Sequence, residues 1–314
     1  WDAANNQPAA NNPWFNQVPM HDYNVGFDFN HESQDTKNFV DRVVKFWINE
    51  YKIDGYRFDL SKGFTQNNTL GNVGAWGQYD ASRIAIWKAI SDSIWSVDSD
   101  SYVILEHFAN NDEEKVLADY GMMIWGNMNG SYREGAMGYP NNNISWGVYT
   151  DRGWNDPNLV TYMESHDEER MMYSNITWGN SSGDYDVTDL ETALKRGELA
   201  ATFFLTIPGP KMIWQFGEFG YDVNIDFNGR TGIKPLKWYD LEENARQRLF
   251  QVYKALINLK NTQDVFTTTN MSYSLNGYYK RINLTHATMS VTIIGNFNVT
   301  EGNIDPNFQY PGKW

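Results

Sequence analysis

Three acidic residues, Asp59, Glu106 and Asp167, stand at or just past the ends of short apolar runs, KIDGYRFDL, SYVILEHF and NLVTYMESHD. Carboxyl groups delivered from such positions can divide a reaction between them. Cleaving a glycosidic bond with retention requires that division: one carboxylate attacks the anomeric carbon, while a carboxylic acid about 5 to 5.5 Å away protonates the departing oxygen. Each residue also has a plain structural reading. Arg57 and Asp59 alone would be an ordinary ion pair, and Glu106 alone an exposed strand end.

Residues so far apart in sequence converge only if the fold carries them to one place. From Thr36, Phe39, Val40, Val43, Val44 and Trp47 recur at helical spacing, so a helix of about four turns is expected, capped by Asp35 or Thr36. It runs into a short buried strand ending at Asp59. A second helical stretch, with Trp87, Ile90 and Ile94, leads into a strand over Tyr102 to Leu105 that ends at Glu106. YGMMIWGN, NLVTYMES and, after a helical run from Leu190 to Leu205, KMIWQFGE continue the series. Alternating strands and helices predict a parallel sheet with crossover helices. In a (β/α)8 barrel every strand presents its C-terminal end to one face, where the three carboxylates would meet.

Residues 1–31, rich in Asn, Pro and aromatics, lack periodicity and read as an irregular excursion. Residues 32–262 carry the strand and helix alternation. From about residue 263 NGYYKRINL and TMSVTIIGNF alternate as two antiparallel strands, the start of a small β domain too short to be an independent sandwich. The expected fold is therefore α/β, the C-terminal part of a (β/α)8 TIM barrel followed by the start of an antiparallel β domain.

A net charge of -14 argues against a nucleic-acid partner, whose phosphates call for clustered Lys and Arg. No apolar run is long enough for a membrane span. The chain has no cysteine, which removes disulfides and thiolate metal sites and leaves the compartment open, an exported or cell-surface bacterial parent included. The acidic runs Asp112 to Glu114 and Asp167 to Glu169 are expected to be solvated faces. With 13 Trp, 19 Tyr and 17 Phe, the chain has many rings on which sugar faces could stack, although a large aromatic core would need them equally.

GYRFDLSKG, ILEHF and YMESHDE, in that order, resemble the fourth-, fifth- and seventh-strand motifs of the α-amylase superfamily of retaining glycoside hydrolases. MIWQFGE resembles the eighth-strand segment, and GFDFNHES a motif near the end of the inserted domain. The likeness spans roughly residues 20 to 300. It implies Asp59 as nucleophile, Glu106 as acid/base, and Asp167 as the carboxylate that binds sugar hydroxyls and stabilises the transition state. It also implies that Arg57 keeps Asp59 ionised and that His166 hydrogen-bonds a hydroxyl of the same ring. Lys62 matches a position that contacts the aglycone side, although a surface lysine is the plain reading. Phe108 joins Phe64, Trp125 and Tyr162 as a candidate sugar platform, with core packing the alternative for each.

No cofactor is needed for this chemistry. A structural calcium is the one metal the resemblance raises, and here the sequence departs: Gly63 stands where many members have His, leaving its carbonyl, with Asp28 and Asn30 as weak further candidates better read as turn residues. His21, His31, His107 and His286 lack metal-ligand spacing. The nucleophile motif arrives early, so the three preceding barrel strands are expected to be missing. The open sheet would then call for that N-terminal segment, a second copy or another partner. The implied activity is hydrolysis of α-glucosidic bonds in starch-like α-glucans. A glucan transglycosylase or branching enzyme, and a noncatalytic glucan-binding module, are the rival readings.

Overall fold

The computed structural model describes residues 1–313, which form two compact units. The first comprises residues 1–125 with 152–158, the second residues 126–151 with 159–313.

In the first unit, residues 1–31 are irregular, pinned by isolated bridges Asp2 to Gln7 and Phe15 to Phe29. Helix α1, Gln34–Tyr51, is longer than the expected four turns. It begins after Ser33, whose side chain makes no capping bond, rather than at Asp35 or Thr36. Thr36 is instead buried, its hydroxyl turned to the Trp14 carbonyl. The helix stops because Lys52 turns left-handed, at φ 54°, and returns its N–H to the Ile48 carbonyl.

Strand β1, Gly55–Phe58, follows at once. The short α2, Val73–Trp76, and α3, Ala81–Trp95, lead to β2, Tyr102–Leu105, and α4, Asn111–Ala118, leads to β3, Met123–Asn127. Asp80 caps α3, accepting the N–H groups of Ser82 and Arg83 at 2.9 and 3.2 Å. Strands β1 and β2 are parallel with Gly55 opposite Tyr102 and Phe58 opposite Leu105, and β2 pairs parallel with β3 through Ile104 and Met123. Trp87, Ile94, Val103, Leu105, Leu117 and Ile124 are buried in this unit.

Strand β3 continues into the second unit. There follow α5, Asn129–Met137, β4, Leu159–Tyr162, α6, Met171–Trp178, a small hairpin of β5, Ser181–Ser182, and β6, Tyr185–Asp186, then α7, Leu190–Thr206, β7, Lys211–Met212, and α8, Asn244–Thr262. The parallel strands are hydrogen-bonded in the order β1-β2-β3-β4-β7. Tyr162 pairs with Met212, and all four residues of β4 are buried, as a strand covered on both faces requires.

The closing β region has three antiparallel strands rather than two: β8, Met271–Ser274, β9, Tyr279–Thr285, and β10, Ser290–Asn296, with β9 central. Strand β8 is short and half-buried, so its hydrophobic pattern was too weak to read. Ile282, Leu284, Ile293 and Phe297 share one core with Phe203, Phe204 and Leu249 of α7 and α8. The fold is a partial TIM barrel followed by a β domain.

Candidate active site

In the first unit the ends of β1 and β2 bring Arg57, Asp59 and Glu106 together. The Arg57 guanidinium bonds the Asp59 carboxylate through Nη1, and its Nη2 lies 3.0 Å from Glu106 Oε2. It is stacked on the Trp125 ring, 4.1 Å from the centroid, so the platform this tryptophan provides is for the arginine. Trp125 itself is buried.

The two carboxyl groups have different surroundings. The Asp59 side chain is 75% exposed and that of Glu106 only 13%. Burial raises the Glu106 carboxyl above its ordinary range; the Leu60 N–H and Arg57 oppose that shift, while a hydrogen bond shared with Asp59 and the charge of Asp59 add to it. The Leu60 N–H reaches Glu106 Oε2 at 2.8 Å. It can do so because Leu60 is left-handed, at φ 44°; Phe108, two residues past Glu106, is also left-handed, at φ 51°. Strained backbone at the tips of both strands belongs with their job of aiming side chains.

Lys62 is not a surface lysine. It is half-buried, donates to the Phe108 carbonyl at 2.9 Å and lies 4.2 Å over the Trp76 ring. Phe108 stands beside Glu106 with its side chain open to solvent. Phe64 instead is half-buried, stacking on His31 at 3.6 Å and packing on Trp87, and Tyr162 is a fully buried core residue.

Reading the Asp112 to Glu114 run as a solvated face is corrected here: Glu113 and Glu114 are buried. Glu113 takes Arg83 through Nε at 2.6 Å and Nη2 at 2.8 Å, and His107 Nε2 at 2.7 Å; Glu114 pairs with Arg152 at 3.0 Å. No spacing rule links residue 83 with 113, or 114 with 152, so the sequence carried no signal for these pairs.

In the second unit, His166 and Asp167 follow β4 and are exposed, with His166 Nε2 3.2 Å from Asp167 Oδ2. They line a pocket of about 350 Å³ with Arg170, Trp214, Gln215 and Arg230. The Ser165 hydroxyl accepts the Asp167 N–H at 3.1 Å, and Arg230 donates to the Asp167 carbonyl. The rest of this acidic run is also engaged rather than solvated: Glu168 accepts from Asn127 at 2.5 Å, and Glu169 from Asn224 at 2.7 Å and the Ile225 N–H at 3.0 Å. Trp214 and Arg230 were not foreseen; Trp214 lies within the quoted MIWQFGE run, whereas nothing local marks Arg230.

The calcium candidates are occupied by their own turns. The Gly63 carbonyl accepts from Thr65 at 2.9 Å, Asp28 from Asn16 at 2.8 Å and the Met20 N–H at 3.2 Å, and Asn30 from the Glu32 and Ser33 N–H groups. Among the described residues no three acidic or imidazole side chains are grouped so as to hold a metal ion.

Solved structures share this fold. The type I pullulanase of Bacillus subtilis str. 168, complexed with maltose, superposes with a TM-score of 0.68 at 16% identity, over 90% of this chain and 43% of that one. An alpha-amylase from H. orenii gives 0.60 at 18% identity over 86% and 56%, and Eubacterium rectale Amy13B 0.63 at 14% over 86% and 56%. The chain thus spans about half the length of these proteins, and identities this low speak for the fold alone. No curated protein sequence matches. The family model of the alpha-amylase catalytic domain matches residues 18–237, most of the chain and all of the motif segments around Asp59, Glu106 and Asp167. The chain belongs to the alpha-amylase family.

Proposed function

We propose that the enzyme containing this chain hydrolyses α-glucosidic bonds of starch-like α-glucans with retention, Asp59 attacking the anomeric carbon and Glu106 protonating the leaving oxygen. In the second half-reaction Glu106 takes a proton from water, which displaces Asp59 from the sugar. The observation that carries this reading is the single Arg57 guanidinium shared by two carboxyl groups of unlike burial. The exposed one, bonded to the cation, suits a nucleophile that must be ionised. The buried one, raised above its ordinary range, suits an acid that must hold a proton. Two carboxyl groups held by adjacent nitrogens of one guanidinium support the short separation of retention over the 6.5 to 9.5 Å that inversion needs to admit water.

Asp167 and His166 would bind sugar hydroxyls, Lys62 would face the aglycone side and Phe108 would offer a sugar platform. Neighbours in fold were solved with maltose and with cyclic α-maltosyl-(1→6)-maltose, consistent with a glucan substrate. No cofactor enters this chemistry. The test is Glu106→Gln in the full-length enzyme, assayed on a maltooligosaccharide and on an aryl glucoside with an activated leaving group. Cleavage of the first should fall about 10²- to 10⁴-fold and of the second far less, because a good leaving group needs little protonation. Equal losses would remove Glu106 from the acid role. Product analysis from the oligosaccharide separates hydrolysis from transfer: reducing sugar without longer or branched products supports hydrolysis.

A further inference from the structure

Behind the carboxyl pair, and wholly inside the first unit, runs a closed circuit of hydrogen bonds that the reaction as proposed does not use. It starts at Ser61, whose N–H and hydroxyl both reach the Glu106 carbonyl, at 3.0 and 2.9 Å. The same hydroxyl oxygen is 2.9 Å from His107 Nδ1. His107 Nε2 is 2.7 Å from Glu113 Oε1. Glu113 is clamped by Arg83 through Nε and Nη2, and Arg83 Nη1 donates to the Lys62 carbonyl at 3.0 Å, one residue from the start. The circuit is reinforced by Trp76, which donates to the Lys62 carbonyl at 3.0 Å, and by the Asp80 N–H, which donates to Glu113 Oε2 at 2.8 Å.

Ser61, Arg83, His107 and Glu113 are all at most 1% exposed, so no substrate reaches them. The serine, histidine and glutamate therefore cannot work as a nucleophilic triad, although their bonding order resembles one. What they do touch is Glu106. The segment Leu60–Ser61 grips this residue twice, at its carboxylate through the Leu60 N–H and at its carbonyl through Ser61. The one Ser61 hydroxyl proton goes to the Glu106 carbonyl, and the same oxygen faces His107 Nδ1 while the Glu113 carboxyl faces Nε2; burial pushes the imidazole down, against the hydrogen bond and charge of Glu113. Burial alone would raise the Glu113 carboxyl, but the bonds from His107 and Arg83 outweigh it and hold that group below its ordinary range.

We infer that His107 and Ser61 are positioning residues for the acid/base, held by Glu113 and Arg83 so that the end of β2 keeps Glu106 aimed across the end of β1. This rests on the acid role proposed for Glu106. The circuit ties four separate elements, the turn after β1, the end of β2, α3 and α4, so loosening any member lets Glu106 drift relative to Asp59. A misplacement of about 1 Å costs catalysis on the order of 100-fold.

The test compares Ser61→Ala, His107→Asn and Glu106→Gln in the full-length enzyme, each assayed on the maltooligosaccharide and on the activated aryl glucoside, with thermal unfolding recorded alongside. The expected result for Ser61→Ala is a kcat loss of about 10-fold or more on the oligosaccharide, a clearly smaller loss on the aryl glucoside, and an unchanged KM. His107→Asn should show the same split. A merely structural role would lower both substrates together and track the fall in Tm. If Glu106→Gln shows the split and folded Ser61→Ala does not, the positioning inference is overturned while the acid role stands. If Glu106→Gln shows no split, both fall. Ser61→Ala removes a single oxygen, so it keeps the test decisive even where His107→Asn fails to fold.

Discussion

Arg57 is where residue chemistry is most concentrated: one guanidinium, stacked on Trp125, meets two carboxyl groups. Lysine would keep the charge but not the planar fork or the stack. Arg57→Lys is therefore expected to lower kcat by about 100-fold or more while leaving KM within a few-fold, a split that steady-state kinetics on a maltooligosaccharide will read. Glu114 provides a stability prediction of definite sign. Burial raises its carboxyl to about 7, outweighing the Arg152 charge beside it. Between the ordinary glutamate range and about 7 the folded chain therefore holds a proton that the unfolded chain has lost, and this contribution to stability declines as pH rises through that window. Glu114→Gln should remove up to about 1.4 kcal/mol per pH unit of that slope, measured as the difference in urea unfolding of variant and parent at several pH values.

At the scale of elements, the start of β1 is set by a near contact. A methyl group at Gly55 would lie 2.3 Å from the Tyr102 carbonyl oxygen and 2.6 Å from its nitrogen, atoms of the strand with which Gly55 is in register. Backbone cannot yield as a flexible side chain does. Gly55→Ala should destabilise the protein by about 1 to 3 kcal/mol or more, seen as a lower denaturant midpoint. Because β1 and β2 carry Asp59 and Glu106, it should also lower activity in the variant that remains folded.

At the scale of whole units, two buried basic side chains tie the β domain of the second unit to its helices and to the loop after α5. Arg196 of α7 donates to the carbonyls of Gly135 and Ala136 in α5 and of Asn296, Phe297 and Asn298 at and beyond the end of β10. Lys280 of β9, fully buried, places Nζ 2.7 to 2.9 Å from four oxygens, the Asn142 carbonyl and side-chain oxygen and the carbonyls of Leu275 and Gly277, which share its protons. Lys280→Met would fill the space but leave these buried acceptors unpaired, at a cost of about 3 kcal/mol or more. Thermal unfolding should show it as a clear drop in Tm; an unchanged Tm would mean that the β strands are held by the apolar core alone.

The order of elements, the parallel pairing and the three motif segments were determined by the sequence itself, since hydrophobic period and strand length are local properties that survive in one dimension. KIDGYRFDL, SYVILEHF and NLVTYMES all form strands where their apolar runs lie, and α7 covers the expected helical run. The third antiparallel strand, β8, was missed because a four-residue, half-buried segment carries little pattern. Tertiary structure alone decided the fate of charge and of aromatic rings. Glu113, Arg83, Arg196 and Lys280 look like surface residues in a sequence, and only packing gives them the distant partners that make burial tolerable. Trp125 supports an arginine and Phe64 packs between His31 and Trp87 because a ring's neighbours are set by contacts across the fold, which the local pattern does not encode.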